Sequence, residues 1–283
     1  MTDPDPHLVS PEWLAENLDR PDLVVVDCSW FVPEFEKTGR GEFENGHIPG
    51  AQFLDLDAIS DARAPNVNML CSPEQFAAEA GALGIANETE VIIYDAVYVS
   101  ARVWWMFRLF SHDRVRILDG GLRRWTAEGR ALASGPALPA TPARYDARPP
   151  ADEVVGWAPV LDALQSGSHS VLDARTPGRF TGEMSSGYPG VAGGHMPGAV
   201  NVSWQDLIRQ EAPFTFLAPD AARACFEAAG ADLSRPVIAT CGSGVTACII
   251  AFQLDRMGKR DWKIYDASWH EWGQRADLPK ESL

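Results

Sequence analysis

The sequence predicts an α/β protein built from two tandem copies of one domain, each a mostly parallel sheet flanked by helices. Three observations predict this: motifs that recur at a nearly constant offset, short apolar runs that alternate with amphipathic stretches, and a proline-rich segment between the two sets. Val24-Val25-Val26-Asp27 is matched in pattern by Val171-Leu172-Asp173-Ala174-Arg175, and Gly46-His47-Ile48-Pro49-Gly50-Ala51 by Gly194-His195-Met196-Pro197-Gly198-Ala199. Val91-Ile92-Ile93-Tyr94-Asp95 is matched by Val237-Ile238-Ala239-Thr240-Cys241, and Ile117-Leu118-Asp119-Gly120-Gly121 with Trp125 by Ile264-Tyr265-Asp266-Ala267-Ser268 with Trp272. The pairs Asp27/Asp173, His47/His195, Asp95/Cys241 and Trp125/Trp272 lie 146, 148, 146 and 147 residues apart. Four ordered matches at one spacing are the signature of a duplicated domain.

The elements follow in order. Val24-Val25-Val26, Val91-Ile92-Ile93 and Ile117-Leu118 are β-branched or aliphatic throughout, as suits strands buried on both faces of a parallel sheet. Between them, Ser72 to Gly84 reads as a helix, with Ser72 as N-cap, Pro73 at the first position and an acid soon after. Pro136, Pro139, Pro142, Pro149 and Pro150 mark 131–150 as a stiff, extended linker. The expected domains are therefore 1–130, without a nucleophile because Asp95 holds the loop position, and 151–283, the catalytic copy. A chain of 283 residues gives each copy enough length for its own core.

Composition narrows the function classes. A net charge of −15 and a pI near 4.8 disfavour nucleic acid and anionic membranes as partners. The opening Met1-Thr2-Asp3-Pro4-Asp5-Pro6 is neither a signal nor a transit peptide, and no apolar run approaches the length of a membrane span. Five cysteines, an odd number at irregular spacings and without a C-x-x-C pair, argue against a disulfide framework, a zinc ribbon or a thioredoxin-like motif. The expectation is a soluble protein in the reducing cytoplasm. Nothing calls for a cofactor: no metal, flavin or pyridoxal phosphate.

One cysteine stands apart. The run Val237 to Thr240 delivers Cys241 to a Gly-Ser-Gly turn, and a helix-compatible stretch from Val245 to Leu254 follows. Gly242 and Gly244 are expected to let the backbone curl so that N–H groups point inward, and the helix adds the positive end of its dipole. Both favour a thiolate at Cys241. No Lys follows the glycines, so a nucleotide loop is a poor match. Ala247 stands six residues after Cys241, where a cysteine phosphatase needs an arginine. The bland alternative, a buried structural cysteine, is the expectation for Cys28, Cys71, Cys225 and Cys248 instead.

These residues resemble the rhodanese-like sulfurtransferases in their tandem two-domain form, over roughly Ser10 to Gly273. The loop Cys241-Gly242-Ser243-Gly244-Val245-Thr246 is similar to that of the branch using 3-mercaptopyruvate. The thiosulfate branch typically carries an Arg and a Lys where Gly242 and Ser243 stand. The stretches Arg102-Val103-Trp104-Trp105-Met106 and Ser268-Trp269-x-Glu271-Trp272-Gly273 look like the same family. The resemblance implies a sulfurtransferase that moves sulfur from a small 2-oxo-acid thiol through a Cys241 persulfide. The acceptor would be a thiol, such as a thioredoxin-like protein, or cyanide.

The resemblance further implies Cys241 as nucleophile and Ser243 as a hydrogen-bond donor. It places the loop residues Gly242, Gly244, Val245 and Thr246 around the substrate, and Arg179, in the Gly178-Arg179-Phe180 step, on its carboxylate. Arg175 reads as structural, Arg102 as a residue that either packs or reaches the cleft, and Trp269, His270 and Trp272 as packing beneath the loop. Two departures stand out. Tyr188 occupies the place of a second substrate arginine, and Thr38 that of the acid which would join His47 and Ser243 in a relay. His47 is thereby a candidate acid–base group or a brace of its turn, the role expected of His195. The competing readings are a thiosulfate sulfurtransferase of the same fold and a non-catalytic persulfide carrier.

Overall fold

The computed structural model describes residues 5–148 and 152–282. Residues 1–4 of the acidic opening, and Pro149 and Pro150 of the proline-rich segment, lie outside the described residues. The chain divides into two compact units, one of 1–61, 70–150 and 210–216, the other of 62–69, 151–209 and 217–283.

The first unit contains β1 (Leu8–Val9), β2 (Leu23–Asp27), β3 (Gln52–Phe53), β4 (Glu90–Tyr94) and β5 (Val115–Leu118). The second contains β6 (Val154–Val155), β7 (Ser170–Asp173), β8 (Val200–Asn201), β9 (Val237–Thr240) and β10 (Trp262–Tyr265). Their sheet orders are β1-β5-β4-β2-β3 and β6-β10-β9-β7-β8, with every pairing parallel. The second order is the first shifted by five strands, so the duplication read from the motifs is a duplication of topology. The central strands β4 and β9 are buried almost throughout, because helices cover both faces of such a sheet.

The helices of the first unit are α1 (Pro11–Asn17), α2 (Gly39–Asn45), α3 (Pro73–Ala82), α4 (Ser100–Leu109) and α5 (Gly121–Ala127). Those of the second are α6 (Trp157–Ser166), α7 (Pro177–Thr181), α8 (Pro219–Ala228), α9 (Ala247–Arg256) and α10 (Ser268–Gln274). Helix α3 starts as the sequence requires: the Ser72 side chain accepts the Gln75 N–H at 3.2 Å, and Pro73 occupies the first turn. Helix α9 begins two residues later than the apolar run does, since Val245 and Thr246 complete the preceding turn. It is buried from Ala247 to Asp255, which explains its lack of a polar face.

The proline-rich segment lies along the first unit. Ala133 exchanges backbone hydrogen bonds with His47, and the Ala143 N–H reaches the Gly81 carbonyl at 2.9 Å. Tyr145 is buried against Phe76, Phe107 and His112. Among the described residues no helix is long and apolar enough to cross a membrane.

Candidate active site

Strand β9, paired with β7 on one side and β10 on the other, ends at Cys241, which is 1% exposed. This is the carboxyl end of a central parallel strand, where open α/β sheets place their ligand sites. The loop from Cys241 to Thr246 is held by the start of α10. The Trp269 N–H donates to the Cys241 carbonyl at 3.0 Å and the His270 N–H to the Gly242 carbonyl at 2.8 Å. The Cys248 thiol donates to the Gly244 carbonyl at 3.3 Å. With these carbonyls drawn outward, the loop's concave side is left to N–H groups and side chains.

Ser268 is the principal fastening. Its hydroxyl donates to the Tyr265 carbonyl at 2.7 Å and accepts the N–H groups of Cys241 at 3.1 Å and Gly244 at 3.2 Å. One proton and two lone pairs are thereby used. Ser268 adopts φ 51°, a conformation costly for a residue with a side chain. Its counterpart in the first repeat, Gly121, has φ 53°.

Two sequence expectations change here. Only Gly244, at φ 80°, needs a glycine's left-handed conformation. Gly242 has no such φ, and a Cβ there would stand 3.5 Å from the Tyr188 ring, an ordinary contact, so neither backbone nor space requires a glycine at this position. Nor do all N–H groups of the loop point at the sulfur, because those of Cys241 and Gly244 bind Ser268.

Ser243 is 4% exposed, and its Oγ accepts two hydrogen bonds, from Asn68 Nδ2 and from the Tyr188 hydroxyl, both 2.9 Å. The Tyr188 ring meets the His270 ring edge-on at 5.0 Å, and His270 Nδ1 lies 3.0 Å from Asn66 Oδ1. Burial pushes the His270 pKa down, so the imidazole is neutral at pH 7. Arg179, on α7, lays its guanidinium about 3.0 Å from where a Gly187 Cβ would stand. A cation thus lies beside the residue that precedes Tyr188. The second unit therefore carries Cys241, Gly242, Ser243 and Gly244 in one loop with Tyr188 against it, and places Arg179 against Gly187. Asn66 and Asn68 were not legible: Asn68 lies 175 residues from Ser243, and its one local signal is an Asn-x-Asn step beside a proline.

Beneath this cluster, Arg175 and Asp173 form a buried bidentate pair with a shortest contact of 2.7 Å. Arg175 also donates to the carbonyls of Arg179 and Gly194 and lies 4.5 Å over the Trp269 ring. It ties α7, the Gly-His turn and α10 to one strand end, the structural role expected. Trp269 and Trp272 are fully buried in the core of this unit, also as expected.

His47 and Arg102 belong to the first unit. His47 Nδ1 is 2.8 Å from the Phe43 carbonyl, and its ring stacks on Phe43 at 3.9 Å. His195 repeats this with Phe180, at 3.0 Å and 3.9 Å. Arg102 is fully buried on α4 with its guanidinium 4.7 Å over Trp105. Asp95 takes the place of Cys241, and its carboxylate accepts the Val97 and Ser100 N–H groups. Burial pushes the thiol pKa of Cys28 up, that of Cys71 up to about 12, and that of Cys225 up as well. As thiolates these three are disfavoured.

The rhodanese-like domain model matches the chain twice, over residues 10–128 and 158–275. The chain belongs to the rhodanese family. It is 43% identical over 277 residues to human 3-mercaptopyruvate sulfurtransferase, covering 95% of this chain and 92% of that protein. It is 38% identical over 278 residues to mouse thiosulfate sulfurtransferase, with the same shares covered. The crystal structure of the 3-mercaptopyruvate sulfotransferase SseA from Escherichia coli superposes with a TM-score of 0.84 at 34% identity, covering 93% of this chain and 98% of that one. Rhodanese relatives with two different sulfur donors thus lie at similar distances, and the donor must be argued from the loop.

Proposed function

We propose that this rhodanese-family protein is a 3-mercaptopyruvate sulfurtransferase that works through a persulfide on Cys241. The Cys241 thiolate attacks the thiol sulfur of the donor. A sulfur–sulfur bond forms, the carbon–sulfur bond breaks, and the electron pair leaves as the enolate of pyruvate, which takes a proton. A second thiolate then attacks the outer sulfur and carries it away as a new persulfide, returning Cys241 as thiolate. Cyanide does the same and leaves as thiocyanate. A thioredoxin-like protein suits the thiol acceptor, and a reducing cytoplasm suits the free thiol.

The observation that carries this reading is the neutral loop. Gly242 lies against the Tyr188 ring and brings no cation, and Ser243 offers a hydroxyl where a thiosulfate dianion would call for cations. A donor with one carboxylate needs one clamp, and Arg179 beside Gly187 suits it. The loop's N–H groups that Ser268 leaves unused stabilise the thiolate and then the persulfide. The first repeat, 1–130, is non-catalytic in this reading, since an aspartate cannot carry a transferable sulfur. His47, a candidate acid–base group, braces its own turn through Phe43 in this reading, as His195 does through Phe180. Kinship to a thiosulfate enzyme makes thiosulfate the alternative donor. Parallel assays that follow pyruvate release and Cys241 persulfide decide between them. Mercaptopyruvate should exceed thiosulfate in kcat/KM by at least about tenfold, or about 1.4 kcal/mol of transition-state binding. A preference for thiosulfate would overturn the assignment.

A further inference from the structure

The hydroxyl of Ser243 has one proton and two lone pairs. Both lone pairs are taken, by the Asn68 amide at 2.9 Å and by the Tyr188 hydroxyl at 2.9 Å. The proton of Ser243 is therefore left for a third partner. Asn68 is held for this contact: it sits at φ 56°, in the left-handed region that asparagine tolerates better than most side chains. Tyr188 is fixed too, by its edge-on contact with His270 and by the Ser186 hydroxyl on its backbone N–H at 3.2 Å.

We infer that Asn68 and Tyr188 are positioning residues which lock Ser243 as a one-way hydrogen-bond donor to the developing enolate oxygen of a 2-oxo-acid sulfur donor. The inference rests on the function proposed above and deepens it. Ser243 thus has its orientation set by an amide and a hydroxyl, neither of which carries a formal charge when it donates. The other titratable or charged groups facing this cluster are His270, against the Tyr188 ring, Arg179, against Gly187, and Cys241 in the loop itself. Burial lowers the His270 pKa and keeps its imidazole neutral at pH 7, so the orienting bonds need no ionised relay.

The test is a mutant cycle on persulfide formation at Cys241, run with mercaptopyruvate. Asn68→Ala and Tyr188→Phe should each lower the rate about tenfold with KM within about twofold, as befits a bond that matters in the transition state. In a Ser243→Ala background neither change should have a further effect. Asn68→Asp supplies a readout that a structural role would not move. Its ionised carboxylate accepts the Ser243 proton and reverses the bond, whereas its protonated form donates as the amide does. The rate of this variant should recover as pH falls through about 4–6, a limb the parent lacks. That recovery also shows that the variant folds. Effects that multiply with Ser243→Ala, or an Asn68→Ala variant with the parent's rate, would overturn the inference while leaving the function intact. A parent that forms persulfide from thiosulfate but not from mercaptopyruvate overturns the donor assignment and this inference with it, since thiosulfate forms no enolate.

Discussion

At the scale of single residues, the site differs from its family pattern by exchanging charge for neutral hydrogen bonding. Tyr188 stands where a second arginine is expected, and its hydroxyl binds Ser243 rather than a carboxylate. In the proposed function the clamp then falls to Arg179. Losing a charged, bidentate partner costs on the order of 2–4 kcal/mol when the ligand charge is left unpaired. Arg179→Ala should therefore raise KM for mercaptopyruvate by well over tenfold, with a smaller fall in kcat if ground and transition states are held alike. Arg179→Lys should recover part of the loss, because an ammonium cannot form the planar fork. Tyr188→Arg should lower KM, since it restores a cation and can still donate to Ser243. Steady-state kinetics on the three variants check this. Parent-like behaviour of Arg179→Ala would move the clamp elsewhere.

At the scale of elements, the two repeats solve the same local problems with different residues, and the differences mark where chemistry was kept. The turn that closes β10 onto α10 has φ 51° at Ser268, and the turn between β5 and α5 has φ 53° at Gly121. Gly121 is the economical choice, and a Cβ there would meet the Asp95 carbonyl at 2.5 Å. Ser268 accepts the strain because its hydroxyl fastens two N–H groups of the cysteine loop. Ser268→Gly should relieve about 1 kcal/mol of backbone strain yet lose the fastening, while Ser268→Ala keeps the strain and loses it too. Both should slow persulfide formation, and denaturant unfolding should find the Gly variant the more stable. An Ala variant as stable as the Gly variant would contradict the strain argument.

The paired acids differ likewise. Asp173 faces Arg175, whereas Asp27 has Ser29 at the corresponding place, and burial pushes the Asp27 pKa up to about 6. A carboxyl with a raised folded pKa stabilises the fold below its unfolded pKa, near 4, and loses that contribution as pH rises through about 6. Asp27→Asn should thus stabilise the protein at pH 7 by roughly 2–3 kcal/mol. The gain should shrink toward zero as pH falls toward 4. Urea midpoints of parent and variant across that range check it; an offset independent of pH would contradict it. The strands, the capped helix α3 and the cysteine loop were legible because each is written in contiguous residues. The parts that were not legible are non-local. Asn68 reaches Ser243 across 175 residues, and no period or motif encodes such a contact. The availability of N–H groups in the loop depended on Ser268, a residue of another element. Gly242 reads as a turn glycine, yet only Gly244 has the left-handed φ, a property of the folded backbone that the residue type does not encode.

At the scale of the whole molecule, a duplicated fold carries five free cysteines and one Gly-Ser-Gly loop. The first repeat fills the loop position with Asp95, whose carboxylate occupies the backbone donors at the start of α4. Cys28 and Cys71 are buried where a thiolate is disfavoured, and Cys248 donates its proton to the loop it follows. The account therefore makes sulfur transfer the property of one atom, Cys241 Sγ. The most direct test is mass spectrometry of the protein after brief treatment with 3-mercaptopyruvate and removal of excess donor, followed by peptide mapping. The account predicts one added sulfur per chain, located on the peptide containing Cys241, removable by cyanide and absent from the Cys241→Ser variant, whose fold survives. Sulfur retained by that variant, or found on Cys28, Cys71, Cys225 or Cys248 of the parent, would contradict it.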